Sequence, residues 1–123
     1  MKYVVLINKT KKTSLGRYDF AKSFISRLWG LMFKEDLQKG LILKLPKHRS
    51  RKGSAIHMFF MKFPLDIVFI DSNKKVVDMI SIEPWKTYTP LVPARYVIEM
   101  EKVTINKFNI GIGDELDFTY ECI

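Results

Sequence analysis

Cysteine is almost absent from this chain. Cys122 stands alone, which excludes an internal disulfide framework and a zinc site built on cysteine pairs. Histidine is nearly as scarce, and His48 and His57 are widely separated, so a local pair of imidazole ligands is excluded too. Long hydrophobic runs are missing. The opening stretch, Tyr3 to Ile7, is too short for the apolar core of a signal peptide and far too short to span a bilayer. A cytoplasmic location with no membrane partner is the expectation. No G-x-S-x-G nucleophile elbow occurs, and Gly111, Gly113 and Asp114 fit neither the Walker loop nor the dinucleotide fingerprint. No cofactor and no metal are expected.

What is present is ordinary in amount and uneven in placement. The chain has 123 residues, 47% hydrophobic and 28% charged, which suits one globular domain over 1–123. The net charge is +8. Residues 1–53 hold 14 Lys/Arg against 3 Asp/Glu, a net of +11, whereas residues 54–123 hold 7 against 10, a net of −3. Clustered cations steer polyanions, so an anionic partner, nucleic acid or an acidic protein, is one candidate.

Strand signals dominate. Lys2–Ile7 is a β-branched, aromatic-rich run; Leu15–Phe20 is a weaker one, and Leu41–Leu45 is stopped by Pro46. Ile56–Met61 is apolar on both alternating faces, which predicts a strand covered on both sides. Asp66–Asp71 and Val76–Ile82 flank the turn-forming Ser72-Asn73-Lys74-Lys75 and predict a hairpin. Ala94–Met100 and Leu116–Tyr120 complete the strands. Ser23–Phe33 has helical spacing, with Phe24, Leu28, Leu31 and Met32 on one face, and Val103–Phe108 suits a short helix. Residues 83–93 form a long connection with Pro84, Pro90 and Pro93, anchored in expectation by Trp85, Tyr88 and Leu91. The fold class that follows is mainly β: a single-domain sandwich or barrel-like fold with one short helix at an edge or end.

Four segments in order resemble a known family. Arg27 followed by Gly30-Leu31-Met32 is similar to its helix end. Phe60-Met61-Lys62-Phe63-Pro64-Leu65-Asp66-Ile67-Val68-Phe69-Ile70-Asp71 is similar to its central strand. Ala94-Arg95-Tyr96-Val97-Ile98-Glu99 and Gly111-Ile112-Gly113-Asp114 are similar to its later strand and turn. On these residues the chain resembles the uncharacterised prokaryotic domain-of-unknown-function family one hundred and ninety-two, from about Arg17 to Phe118. The resemblance implies a compact β-dominated fold with a short helix and no established activity. Two departures stand out. The family usually has glycine four residues after the strand's glutamate, where this chain has Val103, and Gly40-Leu41-Ile42-Leu43 lacks the family's methionine and phenylalanine.

Among chemical candidates, His57 is the first, because imidazole titrates near neutral pH and serves as a general base. Asp66, Arg95 and Glu99 could converge on it, but no nucleophile accompanies them. Asp66 and Asp71, five apart on a strand, face opposite ways and cannot form an acid/base dyad. Asp66, following Pro64-Leu65, suits capping a local turn or an ion pair with a cation such as Arg27 or Arg95. The methionines Met32, Met58, Met61, Met79 and Met100 suit core filling beside aromatic rings better than a soft-metal site.

Three readings follow. The leading one is a non-enzymatic module that binds a small molecule or peptide in a pocket near Arg27, His57, Met61, Asp66 and Arg95. A second is an electrostatic partner for nucleic acid or an acidic protein through Lys9, Lys11, Lys12, Lys47, Arg49, Arg51 and Lys52, without interleaved aromatics for sequence readout. The third is a small hydrolase using His57 with a carboxylate.

Overall fold

A computed structural model describes residues 2–21, 40–45, 56–57 and 62–122. Nine strands and one short helix appear among them: β1 (Lys2–Asn8), β2 (Thr13–Ala21), β3 (Gly40–Lys44), β4 (Ile56–His57), β5 (Leu65–Ile70), β6 (Val76–Ile82), β7 (Thr87–Tyr88), β8 (Tyr96–Glu101), α1 (Thr104–Lys107) and β9 (Leu116–Cys122). The fold is mainly β, as the sequence predicts. The helix expected over Ser23–Phe33 and the basic loop Lys47–Lys52 lie outside the described residues.

Seven strands form one curled sheet in the order β6-β5-β8-β3-β2-β1-β9. Its pairs are antiparallel except β2 with β3, which is parallel. The two edge strands meet at one end. An isolated bridge joins Lys75 to Glu115. Around it the Val76 N–H donates to the Asp114 carbonyl at 2.8 Å, and the Leu116 N–H to the Lys74 carbonyl at 2.9 Å. The sheet is thus a half-barrel, closed at this end only. Closure occupies backbone groups that edge strands otherwise leave unpaired.

Alternation along the strands makes two cores. Val4, Leu6, Ile42, Val68, Ile98, Met100 and Leu116 fill the concave interior, joined by Ile110 with Ile105 and Phe108 packed against it. On the convex face Leu43, Leu65, Ile67, Phe69, Val97 and Ile82 form a second core, with Phe63 and Tyr88 against it. β5 is therefore buried at every residue, in keeping with a strand covered on both sides.

That two-sided burial was also expected of Ile56–Met61. Ile56 and His57 pair with Tyr88 and Thr87 in a separate two-stranded sheet instead of joining the main one. The rest of that hexapeptide lies outside the described residues. The 83–93 connection is also anchored differently. Tyr88 packs on Phe69 with ring centroids 5.9 Å apart, but Trp85 and Leu91 leave 57% and 70% of their surface exposed. Asp78, on the convex face, supplies the missing hold by accepting from the Tyr88 hydroxyl at 2.7 Å and the Leu91 N–H at 2.8 Å.

Candidate functional site

Three buried aspartates bind the chain to itself. Asp66 projects from β5 into the interior, fully enclosed. Its Oδ1 accepts from the Ser81 hydroxyl at 2.6 Å and its Oδ2 from the Ile105 N–H at 2.9 Å. The second bond satisfies an N–H in the first turn of α1, which has no side-chain cap of its own at Val103. Asp78 holds the 83–93 connection. Asp114 receives the Asn8 amide at 2.9 Å, the Gly111 N–H at 3.0 Å and the Lys11 ammonium at 3.0 Å. Burial pushes the Asp114 carboxyl up, but the Asn8, Gly111 and Lys11 donors together hold it below the usual carboxylate range.

The positions singled out from sequence separate on this frame. Arg95 lies where β8 begins, with its N–H donating to the Ile70 carbonyl at 2.7 Å and its guanidinium to the Leu45 carbonyl. Asp66 pairs with Met100, five residues further along the same strand, or roughly 15 Å away at strand rise. The structure does not bring Asp66 and Arg95 together. In place of the local turn expected for it, Asp66 bonds the distant Ser81 hydroxyl and the Ile105 N–H of α1. Only the backbone of His57 is described, in β4, and Arg27 and Met61 lie outside the described residues.

The lysines of the β1–β2 hairpin face acids. Lys9 lies 3.3 Å from Glu115 and Lys11 3.0 Å from Asp114, while Lys12 occupies the turn with φ 56°. Beside them Lys75 pairs with Glu115 at 3.2 Å and Lys74 with Asp117 at 2.9 Å. Hydrogen bonds from Lys75 and Lys9 lower the Glu115 carboxyl, and the bond from Lys74 lowers that of Asp117. These ion pairs brace the closed end of the half-barrel. Lys47, Arg49, Arg51 and Lys52 lie outside the described residues. No group of three His, Cys, Asp or Glu suited to a metal occurs among the described residues, and none of their helices is long and apolar enough to cross a membrane.

The open end is different. A cavity of about 390 Å³ lies between β2, the start of β3 and the turn from β8 into α1. Arg17, Lys102 and Lys107 rim it, with Glu101 as the one acidic residue among the described residues of the lining, and Tyr18 and Gly40 also border it. Tyr18 is 5% exposed. Burial, and then the Asp66 charge, push its hydroxyl far above the usual phenol range. Lys102 touches Glu83 at 3.1 Å, an exposed pair, and the Lys107 ammonium lies 5.5 Å from the Phe108 ring. Sequence reasoning missed this site because its cations come from two segments 85 residues apart, with Gly40 from a third. Only the family's glycine at the Val103 position pointed to the β8–α1 turn.

Comparison with known proteins agrees with the fold. The chain is 41% identical to a UPF0127 protein of Thermococcus sibiricus, covering 95% of this chain and 76% of the relative. It is 37% identical to a UPF0127 protein of Pyrococcus horikoshii over 91% of this chain and 96% of the relative. Among solved structures, a Sinorhizobium meliloti protein provisionally described as a transcription regulator superposes with a TM-score of 0.78. It shares 21% identity and covers 96% of this chain and 94% of its own. A Novosphingobium aromaticivorans protein of unknown function gives 0.73 at 20% identity, over 94% of this chain and 83% of its own. At such identities the likeness is one of fold. A family model described as "Uncharacterized ACR" matches residues 5–118, and the chain belongs to that family, DUF192.

Proposed function

We propose that this domain is a non-enzymatic binding module that holds a small molecule or a short peptide segment in the cavity at the open end of the half-barrel. The observation that carries this reading is the cavity itself. Its volume of about 390 Å³ lies in the range of small-ligand sites, and it combines an enclosed aromatic with a polar rim. The buried aspartates favour binding over hydrolysis. Asp66, Asp78 and Asp114 each accept two or more hydrogen bonds that hold elements together, so each serves the fold. A cytoplasmic setting suits a chain with a single cysteine.

Titration of the ¹⁵N-labelled protein with a fragment library tests the reading. The expected result is fragments that move the amide signals of Tyr18, Gly40, Lys102 and Lys107 together. A library that moves none of them, or moves only signals elsewhere, overturns it.

A further inference from the structure

We infer that the cavity takes an oxyanion, the carboxylate or phosphate of a small organic ligand, with the Tyr18 hydroxyl as its buried donor and Arg17, Lys102 and Lys107 as its cationic rim. This deepens the binding reading above and rests on it.

Tyr18 carries a hydroxyl that the fold does not use. Tyr18 is more than nine-tenths buried, yet its hydroxyl makes no hydrogen bond with any described residue. The hydroxyl is not among the fully enclosed unpaired polar atoms of the described residues, so it is open to the cavity that Tyr18 lines and is available to a ligand. The ring is fixed: it lies across Gly40, whose missing side chain leaves the space, and it borders the cavity. Burial and the Asp66 charge keep the phenol protonated, so it meets a ligand as a donor and favours an acceptor. Asp66 accepts from Ser81 and Ile105, and no bond from Tyr18 to it is present.

Charge narrows the acceptor to an anion. Among its described residues the lining carries Arg17, which is already engaged within the chain, Lys102 and Lys107 against the one carboxylate of Glu101. The Thr104 hydroxyl already donates to the Glu101 carbonyl at 2.6 Å and is not the missing partner. Lys102 is committed only to an exposed pair with Glu83, of the kind that contributes little and can be exchanged for a ligand oxygen. A donor at the base and cations at the rim match an oxyanion on an apolar body.

The probes are benzoate, phenyl phosphate and neutral benzamide, titrated into the wild-type protein and into Tyr18→Phe and Lys107→Ala. The expectation is that benzoate, phenyl phosphate or both bind at least about tenfold more tightly than benzamide, since charge-assisted hydrogen bonds exceed neutral ones. Which of the two binds better distinguishes a carboxylate source from a phosphate source. Tyr18→Phe should weaken the anions about tenfold without lowering the unfolding midpoint, because it removes a hydroxyl that the fold leaves unpaired. Lys107→Ala should weaken them several-fold and flatten their salt dependence. Equal binding of benzamide and benzoate at the cavity overturns the oxyanion inference and leaves the binding reading standing. Anion binding unchanged in Tyr18→Phe does the same. If no probe moves the cavity amides the inference falls, and the wider library decides the binding reading separately.

Discussion

The ring of Tyr18 occupies the space that a side chain on Gly40 would need. The two residues face each other across the parallel β2–β3 pair, and a Cβ built on Gly40 would overlap the Tyr18 ring at Cε2. Gly40→Ala therefore forces the ring or the strand to move. Overpacking of this kind costs about 1–3 kcal/mol. Urea unfolding should show that loss. Tyr18→Leu in the same chain should recover part of it, and an additive double variant would mean the ring does not lie where described.

Val103 tests the opposite case, a side chain where none is wanted. It enters α1 with φ 69° and ψ 5°, the left-handed region, and its side chain is 60% exposed. A β-branched residue is strained there and gains little from packing. Val103→Gly is expected to stabilise the protein by about 0.5–1 kcal/mol, after allowing for the greater freedom of glycine in the unfolded chain. Val103→Ala, which keeps a Cβ, should gain less. Denaturant midpoints with unchanged slopes would check both.

Acid should loosen the closed end first. Asp114, Glu115 and Asp117 all titrate below their ordinary values in the folded state, so the unfolded chain binds protons before the folded one does. Their stabilisation is complete above the unfolded carboxylate range, roughly pH 4, and is lost as the pH falls through the lowered folded values. Asp114→Asn cannot titrate and should show a shallower decline of stability below about pH 4. A decline as steep as in the wild type would assign the acid sensitivity elsewhere.

Asp66 makes a local prediction. Asp66→Ala leaves the Ile105 N–H and the Ser81 hydroxyl without their acceptor, at a cost of about 1–3 kcal/mol for a buried donor. Amide exchange should quicken most at Ile105 and its neighbours in α1, with β1 and β9 much less affected. Uniform acceleration across the sheet would argue against a capping role.

The strands were legible because their signals are local. Val76–Ile82 alternates, Ser72–Lys75 carries turn chemistry, and the Asp71 carboxylate bonds the Asn73 and Lys75 N–H groups as such turns require. β5 was harder to weigh, because a run buried on both faces has the same composition as Ile56–Met61. The open-end cavity was invisible for a related reason. Arg17, Gly40 and Lys102 mean nothing together until β2, β3 and β8 lie side by side. Asp66 was legible as a cap, but its partner is Ile105, 39 residues away. Lys9 and Lys11 counted as free charge in the sequence, and pairing turned them into structural groups.

The arrangement of β1 bears on how the chain acquires its fold. β1 pairs on one side with β2, its neighbour in sequence, and on the other with β9, where Lys2 meets Cys122 and Asn8 meets Leu116. During synthesis the outer border of β1 has no mate until the ribosome has released the segment beyond residue 115. Contacts between such distant parts of a polypeptide form slowly, and the waiting hairpin is open to wrong pairing in the meantime. Assembly of this protein should therefore be a late event, completed only once β9 is available to β1 and not progressively as the earlier strands emerge.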